Sequence, residues 1–224
     1  TNAVNNTINL NSFATAFGYL EINSSEIGDV YQLSEDTTIH NELKLANATT
    51  KVEHAAGVLT LKTNLNNLGG SFVSTAQVVL SGTANQITGS NTFYDLVKSE
   101  DVASSLSFAA GSTQTITNSV DLQGRPNNQL SLLSLTSSSQ WNFTATATAT
   151  YSYLTIQDSN NTGATITVDQ TNVDAGNNTG WSFTGTNDFT WIGNTSAAWA
   201  TGSNWQGGVV PGADDIAILD NNTS

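Results

Sequence analysis

Apolar and polar residues alternate with a period of two in short runs, and the runs are separated by Gly, Asn and Asp clusters instead of by hairpin signals. The alternation is clearest over residues 57–63, 114–122 and 140–149, and each run has one largely apolar and one mostly polar face, as a half-buried strand requires. Shorter strands are predicted at 19–22, 30–33, 42–45, 71–74, 77–81, 105–109, 130–135, 151–157, 164–169 and 181–184. Residues 92–104 could form a helix, but Phe93, Leu96 and Val97 also fit a strand followed by a loop, the reading we favour. A β-sandwich needs tight hairpins, and the Asn-Gly and Asp-Gly pairs that favour two-residue turns are absent. A solenoid passes from strand to strand through bends and needs none. The expected fold is therefore all-β, a right-handed parallel β-helix (β-solenoid) of about ten coils and roughly 50 Å by the strand spacing, with a β-sandwich as the alternative.

Composition narrows the function classes. Charged residues are 10% of the chain, well below the roughly 25% of an average soluble domain, so Ser, Thr and Asn do most of the solvating. β-Branched residues recur throughout, which speaks for a folded chain and against disorder. Five basic against 18 acidic residues leave a net charge of −13, which repels nucleic acid and anionic lipid. No cysteine is present, so disulfides, zinc-thiolate sites and thiol nucleophiles are all excluded, a pattern that favours an extracellular or cell-surface location. No run is apolar enough to span a membrane and no leader opens the chain. The nine Asn-x-Ser/Thr triplets are what such a composition yields by chance, and they permit glycans without predicting them.

Few residues carry chemistry. His40 and His54 stand in no metal-ligand spacing and beside no Ser and Asp partners, so they read as ordinary strand or surface residues. The neighbours Glu100 and Asp101, like Asp214 and Asp215, would point to opposite faces of a strand, which is wrong for a glycosidase pair. Asp214, Asp215 and Asp220 form a weak candidate metal site, with Ca2+ as the fitting cation because it prefers hard oxygen ligands. No other cofactor is indicated, and no catalytic residue is assigned; the chain is expected not to be an enzyme.

Residues 191–205 hold Trp191, Trp199 and Trp205 in a pattern of Trp-x-Gly, a second Trp and an Asn-Trp pair, followed by Val210-Pro211 and an acidic strand. This stretch resembles a module of large secreted bacterial and archaeal β-helical surface proteins of the adhesin, autotransporter and filamentous-haemagglutinin kind. Residues 69–96 with 107–116, and residues 140–183, resemble coils of the same repetitive proteins. In that family the Trp-rich module opens a unit, whereas here it comes last. The resemblance therefore implies β-solenoid coils over residues 1–185 and, over 186–224, a module that opens the next unit and is contiguous with residues 1–20 of a following repeat or subunit. It also implies that Trp191, Trp199, Trp205 and Pro211 pack between successive units. The expected function is a structural segment of an extracellular filament, adhesin stalk or surface layer whose partners are copies of itself, in covalent tandem or as head-to-tail subunits. A carbohydrate- or host-binding adhesin module, with glycans as partners, is the alternative. A polysaccharide-degrading enzyme is a further one, although its basic residues, Lys44, Lys51, Lys62, Lys98 and Arg125, are scattered.

Overall fold

A computed structural model describes residues 6–145, 148–184, 188–193, 195–206, 208–212 and 215–219. The chain is an all-β solenoid of about eight coils. Every pairing between its strands is parallel; antiparallel contacts among the described residues are confined to isolated bridges such as Arg125 to Asn128 and Trp191 to Trp205. That leaves no place for the hairpins of a sandwich. Residues 92–104, where a helix was considered, fall in the strands Asn91–Ser99 and Ser104–Phe108 and the turn between them.

Each coil presents three faces. The first face stacks Thr7–Asn9, Val30–Leu33, Lys51–His54, Ser71–Ser74, the start of Asn91–Ser99, the start of Thr113–Gln123, Trp141–Ala145 and Ser159–Asn161. The second stacks the start of Ala16–Ile22, the start of Thr37–Leu45, Val58–Leu61, Gln77–Leu80, the ends of Asn91–Ser99 and Thr113–Gln123, and Thr148–Ser152. The third runs from the end of Ala16–Ile22 through the end of Thr37–Leu45, Asn64–Asn67, Ala84–Thr88, Ser104–Phe108, Leu130–Ser134 and Leu154–Ile156 to Val173–Asp174. Four strands turn a corner without ending. In two of the pairings between them the register shifts at the bend, between Phe17 and Tyr19 and between Phe93 and Asp95.

Eight coils at the usual strand spacing make a ladder of roughly 40 Å, shorter than ten coils would give. The reason is the length of a coil, which runs from Thr7 to Val30 or from Lys51 to Ser71 even in the first part of the ladder, and one later coil, from Gln114 to Phe143, is lengthened further by a turn closed by Arg125 and Asn128 and another over residues 135–140. Val173–Asp174 is the last strand of the main ladder, and Trp181–Phe183 pairs with Ile166–Val168 outside it. Asp188–Thr190 pairs with Ile216–Ile218 in a separate two-stranded sheet, and the Trp-rich segment lies between them in sequence.

The core follows directly from the alternation. Inward residues of successive coils stand on one another, so Leu43, Leu65, Ile87 and Phe108 form one column and Ile39, Leu61 and Leu80 another, all buried. Further along, the core turns aromatic: Phe108 stacks on Trp141 at 4.0 Å, and Phe143 stacks on Trp181 at 6.1 Å. Each such side chain removes a large apolar area from water.

One corner is polar inside. Asn67 donates to Asn91 at 3.0 Å, Asn91 donates to Gln114 at 3.0 Å, and Gln114 donates to the Gly89 carbonyl at 2.9 Å. All three amides are buried, and the side chain of one coil answers the next, which offsets much of the desolvation cost, although the Asn67 side-chain oxygen at the end of the row is buried without a hydrogen-bond partner. Gly89 belongs to this corner for a steric reason. Its φ is +69°, and a Cβ there would lie 2.4 Å from the Asn67 carbonyl oxygen.

Candidate functional site

The Trp-rich segment is built around Asn204. This side chain is buried; its carbonyl oxygen accepts from the amides of Thr195 and Ser196, both at 2.9 Å, and its NH2 donates to Ser196 Oγ and the Ala198 carbonyl. Fixing that loop brings the three indoles into one cluster. Trp191 lies parallel to Trp199 at 6.0 Å, and Trp205 meets both edge-on, at 5.0 and 4.6 Å. Trp205 also donates its indole N–H to the Trp199 carbonyl at 2.8 Å. Trp205 is fully buried, whereas Trp199 remains 50% exposed. The cluster thus closes on itself on one side and shows an aromatic surface on the other, a form suited to another protein surface or to a sugar ring. Pro211 is half-buried in the loop that leads on to Ile216–Ile218.

A second feature is a break in the second face. Its ladder stops at Thr148–Ser152, and the following strand, Ile166–Val168, pairs with Trp181–Phe183 in a sheet of its own. The gap is a cleft of about 510 Å3 lined by Ala145, Ala149, Tyr151, Gly163, Ala164 and Ile166, among others. Small side chains stand here where preceding coils carry larger apolar ones: Ala149 follows Val120 and Leu96, and Ala145 follows Ile116 and Phe93. Tyr151 faces inward from this strand, its hydroxyl is buried without a hydrogen-bond partner, and burial pushes its ionisation well above the usual phenol range.

Of the candidate metal ligands, Asp214 and Asp220 lie outside the described residues. Asp215 accepts the Gly212 amide at 2.7 Å and so closes a turn. Among the described residues no group of three or more His, Cys, Asp or Glu side chains converges. His54 is buried in the strand Lys51–His54, with Nδ1 2.9 Å from Ser74 Oγ, and burial lowers its pKa. His40 is exposed on Thr37–Leu45.

The structure draws in two groups that sequence reasoning left among the scattered or ordinary residues. Lys98 is not a surface base: it is fully buried, level with Leu80 and paired with Leu122 in a column of core leucines. Asn85, also fully buried, accepts a hydrogen bond from its Nζ at 2.8 Å. The alternation carried the signal for Lys98, since it stands two residues from the inward Leu96, but its charge argued for the surface. Asn204 stood in the Asn-Trp pair as part of a pattern, and nothing local announced four hydrogen bonds. Set against protein-family models, curated proteins and solved structures, the chain matches none of them.

Proposed function

We propose that the chain is a structural segment of an extracellular or cell-surface filament, stalk or layer, in which solenoid units stack end to end. The observation that carries this reading is the pair of open ends. Among the described residues, Thr7–Asn9 and Ala16–Ile22 are each paired on one edge, and so are Val173–Asp174 and Ile216–Ile218. Phe13 and Ile27 are about three-quarters exposed near the first coils, and Ile216 and Leu219 stand exposed in the last strand segment. Unpaired backbone groups flanked by apolar side chains call for a further coil, supplied by the same polypeptide or by another copy. The resemblance of residues 191–205 to the opening module of β-helical surface proteins supports the same reading, with the Trp cluster and Pro211 as packing elements between units. On this view the chain performs no catalysis, and its partners are copies of itself.

Electron microscopy of the native material tests the proposal. A filament with an axial repeat of roughly 40 Å or somewhat more, eight coils plus the Trp-rich module, is the expected outcome, and density across the junction of Ser224 and Thr1 separates a peptide bond from a gap. Discrete monodisperse particles would sink it. Glycan binding is the second reading, favoured by the half-exposed Trp199 alone. It requires that soluble quenchers reach the indole fluorescence in the assembled material and that added glycans protect it.

A further inference from the structure

Lys98 and Asn85 come from different faces of adjacent coils. Asn85 belongs to Ala84–Thr88 on the third face, and Lys98 to Asn91–Ser99, where it follows the second face of the next coil. The Lys98 ammonium nitrogen donates to the Gly82 carbonyl at 2.6 Å and to the Asn85 side-chain oxygen at 2.8 Å. The orientation of the Asn85 amide is settled by its other end, because Nδ2 donates to the carbonyls of Thr63 at 2.6 Å and Leu61 at 3.4 Å. Only its carbonyl oxygen is left to face the amine. The amide carbon is then one bond beyond that oxygen, close to the about 3–3.5 Å separation from which bonds form in oriented pairs.

Glu100 completes the group. Its carboxylate accepts the Gly82 amide at 2.6 Å, while Lys98 donates to the carbonyl of the same residue, so the two peptide units that flank one glycine hold both side chains. No direct ion pair joins Lys98 to a carboxylate: the salt bridges among the described residues are Lys44 to Glu21 and Arg125 to Asp101. A fully buried amine without such a pair loses charge readily. Its pKa is brought down from 10.5 to about 8 by burial, against the opposing pull of Glu100.

We propose that Lys98 and Asn85 condense within the folded chain to an isopeptide bond, with Glu100 as the proton carrier. The neutral Nζ attacks Cγ of Asn85, forming a C–N bond and a tetrahedral centre. Glu100 rests outside ion-pair distance of Nζ and must swing from the Gly82 amide to reach it; it then takes a proton from Nζ and delivers one to Nδ2, the Cγ–Nδ2 bond breaks, and Nδ2 leaves as ammonia. Amine plus primary amide gives secondary amide plus ammonia, with Glu100 returned unchanged and no oxidant or reductant involved. The product staples one coil to the next from inside, where water and proteases have no access.

Mass spectrometry on the wild-type chain decides the matter without any variant. The expected result is a denatured chain lighter than its sequence by one ammonia, from which trypsin, needing a free lysine side chain, releases no peptide ending at residue 98. A chain of full sequence mass overturns the proposal. So does a chain that has lost ammonia but is still cut after Lys98, because the loss then lies elsewhere. The Glu100→Gln variant is expected to regain full mass with Lys98 and Asn85 unchanged, and a Glu100→Gln chain that still loses ammonia removes Glu100 from the reaction.

Discussion

Asn204 is a buried amide with all its hydrogen-bonding capacity directed at one loop, and the three tryptophans owe their arrangement to it. Asn204→Ala removes four hydrogen bonds made from a buried position and is expected to weaken this segment by about 1–3 kcal/mol, read as a red shift and easier quenching of indole emission. Gly89→Ala places a Cβ on the Asn67 carbonyl at a backbone conformation that alanine disfavours. The expected loss is at least about 1–3 kcal/mol, seen as a lower denaturation midpoint. His54 supplies a pH dependence. Burial holds its folded pKa below 6.5, so the unfolded chain binds the proton more readily than the folded one. The stability present above pH 6.5 is therefore lost as pH falls toward the folded value. Urea midpoints measured on either side of that window should fall for the wild type and fall less for His54→Gln.

At the scale of strands, the break in the second face predicts uneven protection. Amides of Val58–Leu61 and Gln77–Leu80, each held between two neighbours, should exchange slowest. In Thr148–Ser152, which pairs on one edge among the described residues, alternate amides should exchange fast, because residues of a parallel strand point their N–H groups to opposite sides in turn. Hydrogen exchange resolved by residue checks this. The strands themselves were legible wherever one face is apolar, as in Val58–Leu61, Thr113–Gln123 and Trp141–Ala145. What escaped the pattern was continuity: a strand that bends at Phe17 or Phe93 and enters a second face reads as one element or two with equal justice. The excursions at 125–128 and 135–140 carry the same Asn and Ser vocabulary as the tight corners, so the one long coil that holds them, from Gln114 to Phe143, reads like two short ones. At the candidate sites, the Trp spacing was legible, while Asn204 and the buried Lys98 were not: Asn204 bonds mostly to backbone groups of its own loop, which no residue pattern marks, and the partners of Lys98 lie in the preceding coil.

The whole molecule carries −13 on a narrow stack with few cations. Like charges on neighbouring coils repel over a Debye length of about 8–10 Å at physiological salt, which spans two strand spacings. Raising salt from a few millimolar to physiological strength is therefore expected to raise the thermal midpoint, and a flat salt response would mean that the carboxylates are too widely spaced to interact. Stability in such a stack is a sum of nearest-neighbour terms. The amide rail of Asn67, Asn91 and Gln114 adds something a column of leucines lacks. Apolar columns look alike after a slip of two residues, but the rail has one alignment in which its donors and acceptors meet. It works as a key in a lock, admitting one phase of winding and rejecting the near misses, so that a chain written in a repetitive alphabet still has a single way to coil.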